Sequence, residues 1–281
     1  MSNGRISLTA QMTANLLSLQ GTSKLLGITQ EHLATGKKVN SAIDDPVAYF
    51  DSEAHYQLAS DYATFKNAMS EAVQTIKSAT DTIESVKEIL QQMKSAVTSA
   101  KSAATQSEAS DYRANYNTLR TQLNNLVGDA IYKGVNLLED DDLAVVFNVE
   151  GDKLTVQGFC ATAGNNGLSI LTQGTLGTWF VTGGAPVNAN LSAKITAIDD
   201  AITTLRSKAK VMATNLGIVT TRQDFTNNMI ATLNTGGDNL TLADMNEEGA
   251  NMLMLQTRQS MGIQSLSIAS QSAQQVLQLF Q

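Results

Sequence analysis

The fold is decided by residues 61–104, DYATFKNAMSEAVQTIKSATDTIESVKEILQQMKSAVTSAKSAA. Tyr62, Met69, Ile76, Ile83, Leu90, Val97 and Ala104 recur every seven residues, and Phe65, Ala72, Ala79, Val86, Met93 and Ala100 interleave with them. Apolar steps alternating between three and four mark the seam of a coiled-coil helix, because that spacing keeps one stripe turned toward a partner. Glycine and proline are absent from Val47 to Val127. Ahead of it, Asp44-Asp45-Pro46 sets two carboxylates and a helix-starting proline, as a helix N-terminus prefers. At 1.5 Å per residue, a helix from Val47 to Ala104 is about 85 Å long. A compact domain is shorter than that, so the sequence predicts a rod.

The same spacing returns on both sides of this stretch. Upstream, Leu8, Met12, Leu16, Leu19, Leu26 and Leu33 form a first stripe, with Ser23 and Gln30 at intermediate seam positions. Gly21 and Gly27 each weaken that helix by about 1 kcal/mol relative to alanine, so it needs a partner to persist. Gly36 ends it, and residues 35–46 follow as an ordered connector. Val39 and Ile43 are the connector's apolar anchors, and Asn40, Ser41, Asp44 and Asp45 suit turn and cap geometry.

Downstream, a polar turn is expected at Thr105–Ser110. Tyr112, Tyr116, Leu119, Leu123, Leu126 and Ala130 then give a shorter helix folding back and ending near Gly128. Residues 143–149 and 154–159 read as a hairpin around Glu150-Gly151-Asp152-Lys153. Short apolar runs at 168–171 and 178–181 complete a small β-rich insertion. From Leu191 the seam resumes through Ile195, Ile198, Ile202, Leu205, Ala209, Met212, Leu216 and Val219 to Ile230 and Leu233. Gln223 and Thr226 interrupt this helix of about 65 Å. A second break is expected at Asn234–Asp238, around Gly236-Gly237. Leu255, Gln259, Gly262, Leu266, Ala269, Ala273, Val276 and Phe280 form the last stripe, whose small residues let a neighbouring helix approach closely.

The fold class is therefore mainly α: a long antiparallel coiled-coil-like helical rod with paired N- and C-terminal helices and a small β-rich insertion. The expected domains are a terminal helical pair (1–40 with 243–281), a rod (41–140 with 190–242) and the insertion (141–189).

Composition excludes several functions. The net charge is −7 and the basic residues are scattered, whereas nucleic-acid binding needs a concentrated basic surface. No run approaches the roughly 18 apolar residues of a membrane span, so membrane insertion is not expected. Met1–Thr9 lacks the pattern of a Sec-type signal. Cys160 is the one cysteine and permits no internal disulfide. His32 and His55, the two histidines, form no zinc motif, and Gly164–Gly184 lacks a phosphate-loop ending. Asp140-Asp141-Asp142 reads as a solvated acidic turn. No catalytic site, metal or cofactor is expected, and the chain reads as a structural protein rather than an enzyme.

The two ends are a different matter. Leu16, Leu17, Leu25 and Ile28 on the first helix fall off the main seam, as do Ile263, Ile268 and Leu279 on the last. A pair of helices cannot hide two wide apolar faces, and each side chain left in water forfeits about 1.5–3 kcal/mol. Other copies of the same pair are the economical cover, and head-to-tail contacts of that kind build open helical filaments. A monomeric bundle that tucks its ends onto the rod is the competing reading. The candidate self-assembly residues are Leu16, Leu19, Leu26, Leu33, Leu255, Ile263, Leu266, Val276 and Phe280. The candidate connector residues are Asn40, Asp44, Asp45 and Pro46.

These residues also carry a family resemblance. Thr35-Gly-Lys-Lys-Val-Asn-Ser-Ala-Ile-Asp-Asp45 resembles the signature between the first helix and the long helix of bacterial flagellins. Asp238-Asn-Leu-Thr241, Glu247-Glu-Gly-Ala-Asn251 and Gln271-Ser-Ala-Gln-Gln-Val-Leu-Gln-Leu-Phe280 are similar to their C-terminal signature. Arg222, Phe225 and Tyr132-Lys-Gly-Val-Asn-Leu-Leu138 also fall where the family has similar residues. The likeness covers 1–140 and 190–281, and 141–189 matches the family's variable outward-facing insertion only in place.

The resemblance implies a subunit of the extracellular flagellar filament, serving swimming or swarming, with the terminal helices lining the inner tube and the rod outside them. It implies type III export without loss of a signal peptide. The implied partners are other copies, an export chaperone, the filament cap and hook-associated proteins. Two positions depart from the family. Pro46 replaces a small residue and stiffens the connector. Gln92 and Ser95 replace charged residues in a stretch that an animal innate receptor recognises in some members. The alternatives are a hook–filament junction protein and an adhesive module on 141–189.

Overall fold

The computed structural model describes residues 10–164, 167–170, 179 and 187–279. Its elements run α1 (Ala10–Thr35), α2 (Pro46–Lys101), α3 (Gln106–Gly128), β1 (Leu143–Val146), β2 (Lys153–Val156), α4 (Asn188–Thr241) and α5 (Met245–Leu279). They divide between two compact units, one of Met1–Leu58 with Thr232–Gln281 and one of Ala59–Ala231. Leu8, Phe280 and most of the run at 178–181 lie outside the described residues, as do the side chains of Val276 and Leu279.

The 59–231 unit is organised by the heptad seam. Met69, Ile76, Val86, Leu90, Met93, Val97 and Ala100 are fully buried, and Ile83, Ala72 and Ala79 nearly so. Facing them, α4 buries Leu191, Ile198, Leu205, Met212 and Val219, again seven apart. Three polar contacts fix the register of α2 against α4. The Lys94 ammonium donates to both Asp199 carboxylate oxygens (2.6 and 2.9 Å), Lys101 donates to Ser192 Oγ (3.2 Å), and Gln223 Nε2 donates to Ser70 Oγ (2.7 Å). The residue numbers of each pair add to 293, as one unshifted antiparallel register requires.

Two expectations change here. Gln223 and Thr226 do not interrupt α4: Thr226 is buried at the next heptad position after Val219, and Gln223 is held by Ser70. The turn after α2 is also shorter than expected, and Ala104 is exposed beyond the helix end. Thr105 Oγ1 accepts the Glu108 amide (3.3 Å) while Glu108 Oε2 accepts the Ala104 amide (3.2 Å). This reciprocal cap starts α3 at Gln106, before the apolar pattern becomes visible.

The hairpin is real but short. Leu143 pairs with Val156 and Val146 with Lys153. The expected strand extensions at 147–149 and 157–159 are not strand. Asn148 Oδ1 accepts the Asp152 amide (2.9 Å) and turns the chain there, and Phe159 donates instead to the Leu137 carbonyl. Val145, Phe147, Val156 and Phe159 join the core. The acidic triplet braces this loop: Asp141 accepts the Asn136 amide and Asp142 accepts the Gly158 amide.

Candidate assembly surface

In the other unit, α1 and α5 pack antiparallel. A Cβ added at Gly262 would lie 3.0 Å from Leu19 Cδ2, and His32 Nδ1 lies 2.8 Å from Glu248 Oε1. Those two contacts step 13 residues forward along α1 and 14 back along α5. Gly262 thus gives Leu19 its seat, as the small-residue pattern of the last stripe anticipates.

The α1 seam runs one position earlier than the sequence suggested. Asn15, Thr22 and Thr29 are the partly or fully buried positions between Met12, Leu19, Leu26 and Leu33, while Ser23 and Gln30 are exposed. The seam of α5 contains Gln259, Gly262, Leu266, Ala269 and Ala273, all partly buried. Polar and small residues on both seams bring the helices together along a narrow line. Among the described residues of the pair, only Met12, Thr29 and Leu255 are buried.

What lies off that line stays in water. Leu16, Leu17, Leu25 and Ile28 are exposed on α1, with Leu17 at 71%. Leu253, Met254, Met261, Ile263 and Ile268 are exposed on α5, four of them at more than half. Leu19, Leu26, Leu33 and Leu266 are half-buried. Of the predicted self-assembly residues whose side chains are described, then, Leu255 alone is enclosed within the chain. A shallow groove of about 500 Å³, lined by Asn15, Met261, Gln264, Ser265, Ile268 and Ala269, runs beside the pair. Such a surface can bury apolar area against a complementary helix face; it carries no nucleophile–base pair.

Asn40, Asp44 and Asp45 order the connector and Val39 anchors it, whereas Ile43, expected as the second apolar anchor, is 92% exposed. Asp44 Oδ2 accepts the amides of Asn40 (3.1 Å) and Ser41 (2.9 Å) and the Ser41 hydroxyl (3.1 Å). Those donors, the Asn40 amide first, hold its carboxyl below the usual range. Asp45 Oδ1 caps α2 by accepting the Val47 and Ala48 amides at 3.1 Å each, with Pro46 in the first helical position. Asn40 Nδ2 donates to the Lys37 carbonyl (3.3 Å). Gly36, at φ 72°, ends α1. Beyond it, Lys38 and Val39 donate to the Thr241 carbonyl and Ala243 donates to the Gly36 carbonyl. The connector is thereby pinned to the link between α4 and α5.

That link is not where the sequence placed it. Helix α4 continues through Asn234–Asp238 to Thr241, and the chain breaks at 242–244. Gly236-Gly237 serves close approach instead of a break. A Cβ at Gly237 would stand 2.9 Å from the Tyr56 ring, and one at Gly236 would stand 3.8 Å from the His55 ring. The Tyr56 hydroxyl donates to Asp238 Oδ1 (2.7 Å). Burial first, and then the Asp238 carboxylate, raises the Tyr56 pKa. Asp244 Oδ1 caps α5 by accepting the Asn246 amide (2.8 Å). Sequence reasoning missed the Tyr56–Asp238 and His32–Glu248 pairs, since partners 182 and 216 residues apart leave no local signal.

Comparison with known proteins adds a family. Residues 6–142 match the bacterial flagellin N-terminal helical region and residues 195–280 match the bacterial flagellin C-terminal helical region. Flagellin FljO of Caulobacter vibrioides is 27% identical over 268 residues, covering 94% of both chains. Flagellin A of Rhizobium meliloti is 38% identical over 91 residues, 32% of this chain and 23% of that protein. A crystal structure of Bacillus cereus flagellin aligns with 57% of this chain and 88% of its own at 17% identity, with a TM-score of 0.46.

Proposed function

Since the chain belongs to the bacterial flagellin family, we propose that the exposed faces of α1 and α5 are the surface through which its copies assemble. The protein is a structural subunit of the bacterial flagellar filament and is extracellular. The junction-protein and adhesive-module readings are not favoured. One observation supports the choice of surface: Leu17, Leu25, Ile263 and Ile268 are more than half exposed on a helix pair whose own seam is narrow. Head-to-tail stacking of such pairs covers those side chains and leaves the next face open, so growth continues.

In this reading the terminal pair, 1–40 with 243–281, lines an inner tube. Residues 41–140 with 190–242 form the wall outside it, and 141–189 faces outward. Leu16, Leu19, Leu26, Leu33, Ile263, Leu266, Val276 and Phe280 carry the contact, and Leu255, enclosed within the chain, holds the pair together from inside. Asn40, Asp44, Asp45 and Pro46 set the exit of α2 from the connector. A type III export apparatus, an export chaperone for the C-terminal helix, the cap and the hook-associated proteins complete the partners, and the protein carries out no catalysis. Removal of residues 256–281 tests this reading: the truncated chain keeps its helical 59–231 unit by circular dichroism and forms no filaments under negative stain with seeds supplied. Filaments from the truncated chain contradict it.

A further inference from the structure

Methionine sulfur is divided unevenly between the inside and the outside of this chain. In the 59–231 unit, Met69, Met93 and Met212 lie in the closed core, none more than 2% exposed. Helix α5 carries four of the ten methionines within 35 residues: Met245, Met252, Met254 and Met261. Met245, Met254 and Met261 are exposed, and Met252 is half-buried.

Met254 and Met261 are placed alike. With Ile268 they lie seven apart on α5, at 45%, 59% and 58% exposure. A spacing of seven keeps all three on one face of the helix. Met261 and Ile268 also line the groove that Asn15 of α1 borders. Met245 precedes Met254 by nine residues, about two and a half turns, and so lies on the other side of the helix. The sulfur-bearing stripe therefore belongs to the apolar face that the terminal pair leaves in water.

A thioether is apolar and flexible, and it fits itself to an irregular neighbouring surface. It is also an apolar group that mild oxidation makes polar. With hydrogen peroxide the O–O bond breaks, an S–O bond forms and the sulfur loses two electrons, while the second oxygen leaves with both protons as water. A thioether has no proton to lose, so access decides which methionines react. The sulfoxide oxygen is a strong acceptor, and burying it against leucine and isoleucine side chains leaves it without a donor.

We infer that Met254 and Met261 are oxidation sites through which peroxide reversibly stops the subunit from assembling. That role rests on the filament reading and adds a chemical control to its α5 surface. Copies already incorporated have the stripe covered and free copies do not, so an oxidised free chain is rejected at the growing end. A thiol-dependent methionine sulfoxide reductase reverses the change, oxidising its own thiols and releasing the oxygen as water.

The full-length chain tests it. Monomer is treated with hydrogen peroxide, the excess is removed, and seeded polymerisation is read as critical concentration alongside peptide mass mapping. One added oxygen is expected at each of Met254 and Met261, with Met69, Met93 and Met212 unchanged. The critical concentration is expected to rise roughly tenfold or more, and sulfoxide reductase with dithiothreitol is expected to restore it. Met254→Leu with Met261→Leu conserves side-chain volume, and this variant is expected to assemble like wild type before and after peroxide. Filaments given the same peroxide are expected to keep both sulfurs reduced. Unchanged assembly by a chain oxidised at both positions overturns that role. So does an equal loss in the double-leucine variant, oxidation of filament and monomer alike, or failure of the reductase to recover assembly. An untreated chain that never polymerises overturns the filament reading itself, and this role with it.

Discussion

The two units use the same heptad spacing to opposite ends. In the 59–231 unit the seam positions are large: Met69, Ile76, Ile83, Leu90 and Met93 face Leu191, Ile198 and Leu205, and none is more than 1% exposed. In the terminal unit the seam of α1 and α5 includes Asn15, Thr22, Gln259, Gly262 and Ala269, and its leucines other than the buried Leu255 are half-buried. Among the described residues, fifteen of the 21 exposed large hydrophobics fall in the terminal unit, the smaller of the two. The period of a pattern fixes the helix; the size of the residues on it decides whether the chain closes its core alone. One unit closes its core within a single molecule; the other leaves apolar faces in water, which the proposed assembly covers.

Paired truncations give the comparison its largest test. Leu90→Ala, at a fully buried position, is expected to destabilise the 59–231 unit by about 2–5 kcal/mol in urea unfolding. Leu17→Ala, at 71% exposure, is expected to change monomer stability by less than about 0.5 kcal/mol and to weaken assembly. Equal losses at the two sites break the contrast.

A smaller effect comes from pH. Burial beside Trp179 (ring centroids 5.5 Å apart) pushes the Tyr116 pKa up to about 12, with Arg120 opposing. The unfolded chain releases that proton near pH 10 and the folded chain holds it. Its contribution is therefore complete below pH 10 and lost between pH 10 and 12. Over that window wild type is expected to lose on the order of 2 kcal/mol more than Tyr116→Phe. Lys194 acts in the opposite sense. It is buried against the same two rings, and its Nζ has no hydrogen-bond partner among the described residues. Burial, then Arg120, depresses its pKa. Stability is thus gained as pH rises from the depressed value toward 10.5, and Lys194→Met removes that rise. Parallel pH profiles for all three chains would place the groups outside the closed core.

The most local test is Gly237→Ala. Its methyl meets the Tyr56 ring at 2.9 Å and is expected to cost about 1–3 kcal/mol. Gly21→Ala meets nothing within 4 Å and is expected to strengthen α1 by up to about 1 kcal/mol, read as monomer helicity. A harmless Gly237→Ala returns that dipeptide to the role of a chain break.

How much of this was legible follows the range of each interaction. The heptads of α2 and α4, the antiparallel terminal pair and the off-seam Leu17 and Ile263 are periodic, and periodicity is visible in one dimension. Asp45 as a cap is local and was equally plain. The continuity of α4 through Gly236-Gly237 was not, because the reason for those glycines is Tyr56, some 180 residues away. The α1 seam shifted by one position for a related reason: Thr22 and Thr29 face α5, and no apolar residue marks the place.

Amide hydrogen exchange on the monomer and on the assembled filament tests the central claim most directly. Protection along α1 and α5 is expected to be slight in the monomer and to rise by about a hundredfold or more on assembly. The Met69–Val97 stretch of α2 is expected to be strongly protected in both. Full protection of α1 and α5 in the free chain, unchanged by polymerisation, would contradict it.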